Sequence, residues 1–378
     1  MTGGARGTAQ APLRILQLYP KSDYFTGAAI QIVELSEGLR ARGHEVVIAT
    51  RPSETWGAKT RALGLPHYTL PMSSEVDLRS IPELVRILKR HRIQVVHAQK
   101  GKARTLTMIA GLFVRVPVLV LNRAVSFPID RLNLLGYTTS RVAAVAVVSE
   151  SIKRDLAARG VRADKVHVIY DGTDTARFHP GVDGSAVRRE LGLAPDAFLF
   201  NQIGIRSVKG NDDVIDAMAQ VAPHAPRAHL LLVGARWPQG LRQRAEARGI
   251  GDRVHVWGYR EDIPEILAAS DCSIDGSYAG LGLTGTLRES LAVETAVIAT
   301  DLEGNPELVI DGETGLLFPA RDVPALARAM RRMIEDESFR LGTARAGRKL
   351  VDPKFSMRAK IETTEALYRR LVAERARS

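Results

Sequence analysis

Short runs of β-branched and aliphatic residues alternate along this chain with longer stretches in which apolar positions return every three or four residues. The first kind reads as strands, the second as amphipathic helices. In the first half, strands are predicted at 13–18, 45–49, 94–98, 118–122, 142–148 and 166–170. Helices are predicted at 26–42, 81–91 and 103–113, and a further one takes Ser149 as its N-cap and ends near Gly160. Ile30, Val33, Leu35 and Leu39 form the apolar stripe of the 26–42 helix, and Gly43 ends it. Residues 171–185 (DGTDTARFHPGVDGS) then interrupt the pattern with the composition of a linker. Beyond them the alternation resumes, with strands at 198–203, 229–233, 254–257, 272–275 and 296–300 and helices at 212–221, 241–248, 263–270 and 286–293. This order predicts the α/β class, with two parallel sheets each covered by helices. Two such halves facing each other across a cleft would bring together the loops at the carboxyl ends of their strands, where open α/β sheets bind ligands.

Length agrees with two domains, since 378 residues exceed one ordinary core. Apolar residues at 45% and charged residues at 25% give the balance of a soluble globular protein. The single cysteine, Cys272, allows no internal disulfide and no cysteine-based metal site, and reads as a small core residue. The N-terminal residues lack the apolar run of a signal peptide, and the longest apolar stretch, 108–121, is interrupted by Arg115 and Pro117. A cytoplasmic location is expected, which also disfavours a periplasmic two-domain binding protein.

Charge changes the picture more. The net +11 is uneven: residues 1–180 hold 26 Lys and Arg against 14 Asp and Glu, a balance of +12, and the remainder is −1. The densest run is Arg86, Lys89, Arg90, Arg92, Lys100, Lys102 and Arg104. It reads either as a solvated face or as an attraction to something anionic, such as a membrane surface or a phosphorylated acceptor. Nucleic acid is disfavoured, because no aromatic residues interleave with the run and no binding module is present.

Two segments suit a diphosphate. Residues 204–210 (GIRSVKG) follow a predicted strand and set Arg206 and Lys209 between Gly204 and Gly210, as a clamp would; an ordinary charged loop is the alternative. Residues 279–289 (AGLGLTGTLRE) lead through glycines into a helix whose first N–H groups and dipole favour an anion. Glu289, near the start of that helix, is either a helix-dipole residue or a ligand for ribose hydroxyls. Neither this segment nor residues 19–27 carries a dinucleotide fingerprint, which counts against a dehydrogenase.

Several stretches carry a resemblance. TGAAIQIVELSEGLRARGHEVVIAT, AVAVVSESIKRDL with KVHVIYDGTDTARFHP, IRSVKG, HVWGYREDIPEILAASDCSIDGS and ESLAVETAVIATDLEGNPELVIDGETGLLFP stand in the order found in GT-B-fold retaining glycosyltransferases of family 4, which the chain resembles over nearly its whole length. The resemblance implies two Rossmann-like domains: an acceptor-side one over 1–178 and a donor-nucleotide one over 179–355, with a C-terminal helix over 356–378 returning to the first. It implies transfer of a sugar, with retention, from a nucleotide-diphosphate sugar to a hydroxyl of a glycan or lipid-linked acceptor, in lipopolysaccharide or other cell-surface polysaccharide synthesis. Arg206 and Lys209 would neutralise the diphosphate and support the leaving group. Gly27 would let the first domain's backbone approach that phosphate, with Gly204, Gly285, Thr286 and Leu287 on the other side. Tyr259 would lie by the base and Glu289 would hold the ribose. No metal and no cofactor is required, since the Arg–Lys pair takes the place of a divalent cation. The sequence departs from the family at Leu281, where a first glutamate is usual, and after the 118–121 strand, where Asn122, Arg123 and Ser126 replace a frequent histidine. Arg123 and Ser126 are therefore acceptor-side candidates, Arg123 being otherwise a surface charge. A catalytically silent nucleotide-sugar-binding partner and a nucleotide-sugar epimerase of the same architecture are the competing readings.

Overall fold

A computed structural model describes residues 11–23, 26–280 and 282–377. Seven strands form one parallel sheet: β1 (Arg14–Tyr19), β2 (Glu45–Thr50), β3 (His67–Thr69), β4 (Val95–Ala98), β5 (Val118–Arg123), β6 (Ala144–Val147) and β7 (Val166–Val168), in the order β3-β2-β1-β4-β5-β6-β7. Six more form a second parallel sheet: β8 (Phe198–Ile203), β9 (Ala228–Val233), β10 (Val254–Trp257), β11 (Cys272–Asp275), β12 (Ala296–Thr300) and β13 (Leu316–Phe318), in the order β10-β9-β8-β11-β12-β13. The result is two Rossmann-like α/β domains. Strand order reverses between β1 and β4 in one sheet and between β8 and β11 in the other. At such a reversal neighbouring crossovers lie on opposite faces and leave a crevice at the carboxyl edge.

The strands are nearly all apolar because both faces are covered. In β1, Ile15, Leu16 and Leu18 are buried; in β9, Leu230 to Val233 are. The helix Gly27–Ala41 starts where Thr26 accepts a bond from the Ala29 amide, and beyond its C-cap Gly43 adopts φ +89°. Ser149 caps the helix Glu150–Ala158 as expected, through the Ile152 amide. The predicted helix at 103–113 runs instead from Gly101 to Ala110, leaving Leu112 and Phe113 in an exposed turn.

The last helix, Met357–Arg377, packs on the first sheet and its Gly27–Ala41 helix although it follows the second sheet in sequence. Lys360 Nζ donates to Gln31 Oε1 and to Asp171 Oδ1, both at 2.8 Å. His97, buried in β4, pairs with the Tyr368 hydroxyl at 2.6 Å, and Glu365 lies 3.1 Å from His44 Nε2 and pairs with Arg42. A β-carbon at Gly38 would stand 2.0 Å from Ile361 Cδ1, so a larger residue there would have to displace the Ile361 side chain.

The basic run between Arg86 and Arg104 is not one patch. The helix Ile81–Arg90 descends to the amino edge of β4 and exposes Arg86, Lys89 and Arg90, with Arg92 just beyond. After β4 the chain emerges at the opposite edge, where Lys100 is half-buried and Arg104 is buried. One four-residue strand thus separates the run into two sites with different surroundings.

Candidate active site

Two loops leave the carboxyl ends of β8 and β11, which are neighbours at the strand-order reversal. After β8, Gly204 (φ +95°) turns the chain, Arg206 is extended, Ser207–Lys209 form a single 3-10 turn, and Gly210 is left-handed at φ +62°. A β-carbon at Gly210 would lie 2.1 Å from the Gly276 carbonyl, so the close approach of the two loops also demands glycine. Arg206 is exposed and forms no ion pair with any described residue. Lys209 points inward, and its ammonium meets Asp275 Oδ1 at 3.0 Å.

Asp275 ends β11 and joins the two loops. Besides Lys209, its carboxylate accepts from the Ser277 hydroxyl at 2.6 Å, the Thr284 hydroxyl at 3.1 Å and Asn305 Nδ2 at 3.3 Å. Burial alone would raise this carboxyl, but the Lys209 charge and these donors hold it below its ordinary value. Thr284 precedes the helix Gly285–Ala292, and its hydroxyl is turned to Asp275 instead of capping. The helix therefore presents the amides of Gly285, Thr286 and Leu287 without a side-chain cap. Glu289 is the fifth residue of this helix, one turn further in than a first-turn position. Its carboxyl reaches back towards the helix start, with Oε1 3.9 Å from where a Gly285 β-carbon would stand. Burial raises its pKa, with Arg288 and Arg177 opposing.

The first domain meets this region closely. A β-carbon on Gly282 would strike the Ala124 carbonyl at 2.1 Å, and one on Gly280 would strike the Phe127 ring at 2.3 Å. Arg288 Nη1 reaches Thr173 at 3.1 Å. Glu307 accepts from the amides of Glu150 and Ser151, each at 2.9 Å, and from the Tyr170 hydroxyl at 3.0 Å. A carboxylate of the second domain thereby caps a helix of the first. Glu34, on the Gly27–Ala41 helix, faces the same cleft. Burial lifts its carboxyl to about 7, Lys360 and Arg288 oppose the rise, and Asp174 and Glu289 add to it.

Of the residues singled out in the sequence, Arg206, Lys209, Gly204, Gly285, Thr286, Leu287 and Glu289 come together around Asp275 and the start of one helix. Gly27 is the first residue of its helix, with open space on its β-carbon side. Tyr259, exposed, follows β10 two strands away from β8. Arg123 ends β5 and bonds the Phe127 carbonyl at 2.5 Å and the Tyr137 hydroxyl at 3.3 Å; Ser126 lies in the same loop. Leu281 lies outside the described residues. Asp275, Asn305, Glu34 and Glu307 are additions that only the structure supplies. Asp275 closes a predicted strand beside a glycine, a signal that marks a strand end without revealing its partner.

Two stretches match known families: residues 25–177 match Glycosyltransferase Family 4, and residues 198–336 match Glycosyl transferases group 1. A lipopolysaccharide core biosynthesis mannosyltransferase of Rhizobium meliloti (strain 1021) is 30% identical over 215 residues, 54% of this chain and 61% of that protein. A UDP-Gal:alpha-D-GlcNAc-diphosphoundecaprenol alpha-1,3-galactosyltransferase of Escherichia coli is 23% identical over 326 residues, 82% of this chain and 83% of that one. The chain spans between 47% and 61% of the length of three of the curated relatives it matches. Among solved structures, a glycosyltransferase from Rickettsia africae ESF-5 superposes with a TM-score of 0.89 at 18% identity, over 96% of this chain and 99% of that one. An Anabaena protein solved in complex with UDP superposes at 0.83 and 22% identity, over 94% and 99%. These likenesses carry the fold, in which two Rossmann-like domains face each other in the GT-B arrangement.

Proposed function

Because the chain belongs to the family 4, group 1 glycosyltransferases, we propose that it moves a sugar from a nucleotide-diphosphate sugar to a hydroxyl of a glycan or lipid-linked acceptor. The observation that carries this reading is the Asp275 junction. It binds a cationic loop and an uncapped helix N-terminus to one another at the strand-order reversal, where a diphosphate finds positive charge and open amides together. Arg206, exposed and without an ion pair among the described residues, supplies a guanidinium for the leaving phosphate. Lys209, with one proton engaged by Asp275, offers its remaining donors from a fixed position. Charge neutralisation of the departing diphosphate by these two, with no metal or cofactor, lowers the barrier to breaking the sugar–oxygen bond. Glu289 takes the ribose hydroxyls and Tyr259 the base.

The E. coli relative's lipid-linked substrate and the Rhizobium relative's lipopolysaccharide role favour an acceptor in cell-surface glycan synthesis, and the Anabaena complex favours a uridine nucleotide. We place the reaction on the cytoplasmic side with retention of anomeric configuration. No described helix is long and apolar enough to cross a membrane. Peripheral docking would use the amino edge of the first sheet, where exposed Arg86, Lys89, Arg90 and Arg92 accompany Leu112 and Phe113, which are 64% and 63% exposed.

Thermal-shift titration against UDP, GDP, ADP and their sugar derivatives tests the donor assignment, because a ligand that binds the native state raises the midpoint by mass action. NMR of the product's anomeric proton tests retention. A protein that responds to none of these nucleotides is not this transferase.

A further inference from the structure

The diphosphate proposed to sit at the start of the Gly285–Ala292 helix carries its sugar on the outer phosphate, one oxygen away. Two loops at the carboxyl edge of the second sheet flank that position: residues 276–284 after β11 and residues 301–304 after β12. They touch, since a β-carbon on Gly304 would collide with the Gly282 carbonyl and stand 3.3 Å from Ser149 Cβ in the first domain. The first loop (GSYAGLGLT) holds no acidic residue. The second holds Asp301, which is exposed, and Glu303, which is half-buried.

Glu303 opposes the fold in two ways. Its φ is +55°, in the left-handed region that favours glycine, one of five such non-glycine positions among the described residues. Its Oε2 is buried without a hydrogen-bond partner, a state that costs stability, and the carboxylate forms no ion pair with any described residue. Backbone strain of this kind persists only where the surroundings dictate it. Here they do: the buried Asn305 accepts from the Thr284 hydroxyl at 2.9 Å and donates to the Thr300 carbonyl at 3.2 Å. Glu307, just beyond, is anchored on amides of the first domain. The loop is thus pinned at the wall of the cleft and carries an acceptor that the fold does not use. Sugar hydroxyls are donors of the matching kind.

We propose that Glu303 is the carboxylate that meets the donor's sugar, accepting from its hydroxyls and selecting neutral sugars over uronic acids. The assignment rests on the transferase reading, since it presupposes a nucleotide-sugar donor. Selection follows from charge: a carboxylate already short of partners is a poor neighbour for a second one.

The test separates sugar from nucleotide. UDP, UDP-glucose and UDP-glucuronic acid, with GDP and GDP-mannose as a second pair, are titrated calorimetrically into the full chain, Glu303→Gln and Glu303→Gly. Melting midpoints are recorded for each protein. The nucleotide that the parent binds is expected to bind both variants equally well. Its neutral sugar derivative is expected to bind about tenfold more weakly to both, through loss of a charge-assisted contact. UDP-glucuronic acid should bind the parent more weakly than UDP-glucose does, and should gain affinity in Glu303→Gln. Glu303→Gly should also melt higher than the parent, because glycine adopts this conformation without strain. Unchanged affinity for the nucleotide sugar, or equal weakening of sugar derivative and nucleotide, overturns the assignment. Lower midpoints in both variants with sugar affinity kept would make Glu303 a structural residue only. If neither UDP nor GDP binds the parent, the donor reading falls and takes this one with it. Nucleotide binding without a Glu303-dependent sugar contribution removes this one alone.

Discussion

Lys209 Nζ and Asp275 Oδ1 stand 3.0 Å apart with both side chains almost wholly withdrawn from water. The ammonium proposed to meet the donor phosphate is thus also half of a buried ion pair that ties two loops together. Removing one member of such a pair costs about 3–5 kcal/mol, because the other is left as an uncompensated buried charge. Lys209→Ala is therefore expected to lower stability as well as turnover, and Asp275→Asn to lower stability by a similar route. Since the Asp275 pKa is depressed in the fold, its contribution is present above the unfolded carboxyl value and is lost as pH falls through the folded one. Denaturant midpoints measured from pH 7 down to 3 check this: the acid-side loss of the parent should shrink in Asp275→Asn.

Arg206 separates binding from folding. It is exposed and forms no ion pair among the described residues, so Arg206→Ala should leave the melting midpoint unchanged. Turnover should fall by an amount equivalent to about 3 kcal/mol, the loss of one contact to a developing anion. Equal turnover in parent and variant would dismiss the clamp.

Glu289→Gln distinguishes a ribose ligand from a helix-dipole residue. Weaker binding of ribonucleotides with a midpoint held within a few degrees marks the ligand. A loss of roughly 0.3–1 kcal/mol in stability with unchanged affinity marks the dipole residue.

Much of the scaffold was legible in the chain. Strands at 198–203, 254–257, 272–275 and 296–300 have the bounds predicted, because each is a compact apolar run closed by turn residues. The helix Glu54–Ala62 escaped because it buries only Trp56 and Thr60, too few positions for a periodic stripe. Three-residue β3 and β13 are too short to show a period. In Val323–Glu335 the stripe is present in Leu326, Met330 and Met333, although no element was predicted there. The glycine-bounded loops of the site announce themselves locally, whereas Asp275 meets Lys209 across 66 positions of sequence, a contact that only strand pairing creates.

Glu34 provides a pH signature. Its carboxyl is raised in the fold to about 7, so ionising it opposes the native state, and stability should decline as pH rises from the ordinary glutamate range through 7. Glu34→Gln should flatten that decline. Midpoints at pH 5, 6, 7 and 8 decide the matter, and parallel curves for parent and variant would show that Glu34 titrates normally.

Membrane docking at the amino edge of the first sheet predicts co-sedimentation with vesicles containing anionic lipid, release as salt rises, and no binding to neutral vesicles. Each basic residue near the surface is worth about 1 kcal/mol, and attraction fades over a Debye length of about 10 Å at 0.1 M salt. Replacing Arg86, Lys89 and Arg90 by Gln together should abolish it. Unchanged sedimentation in the triple variant would move the contact elsewhere or remove it.

The carboxylate of Glu307 gives the two domains a shared fastening with no hinge of its own. Its oxygens complete the first turn of a helix on the far side of the cleft and hold the Tyr170 hydroxyl as well. Separating the domains frees the amides of Glu150 and Ser151 at the same moment, while Ser149 keeps its own cap on the Ile152 amide. Amides 150 and 151 then become reporters of cleft motion: their exchange with deuterated solvent should keep time with the opening of the cleft.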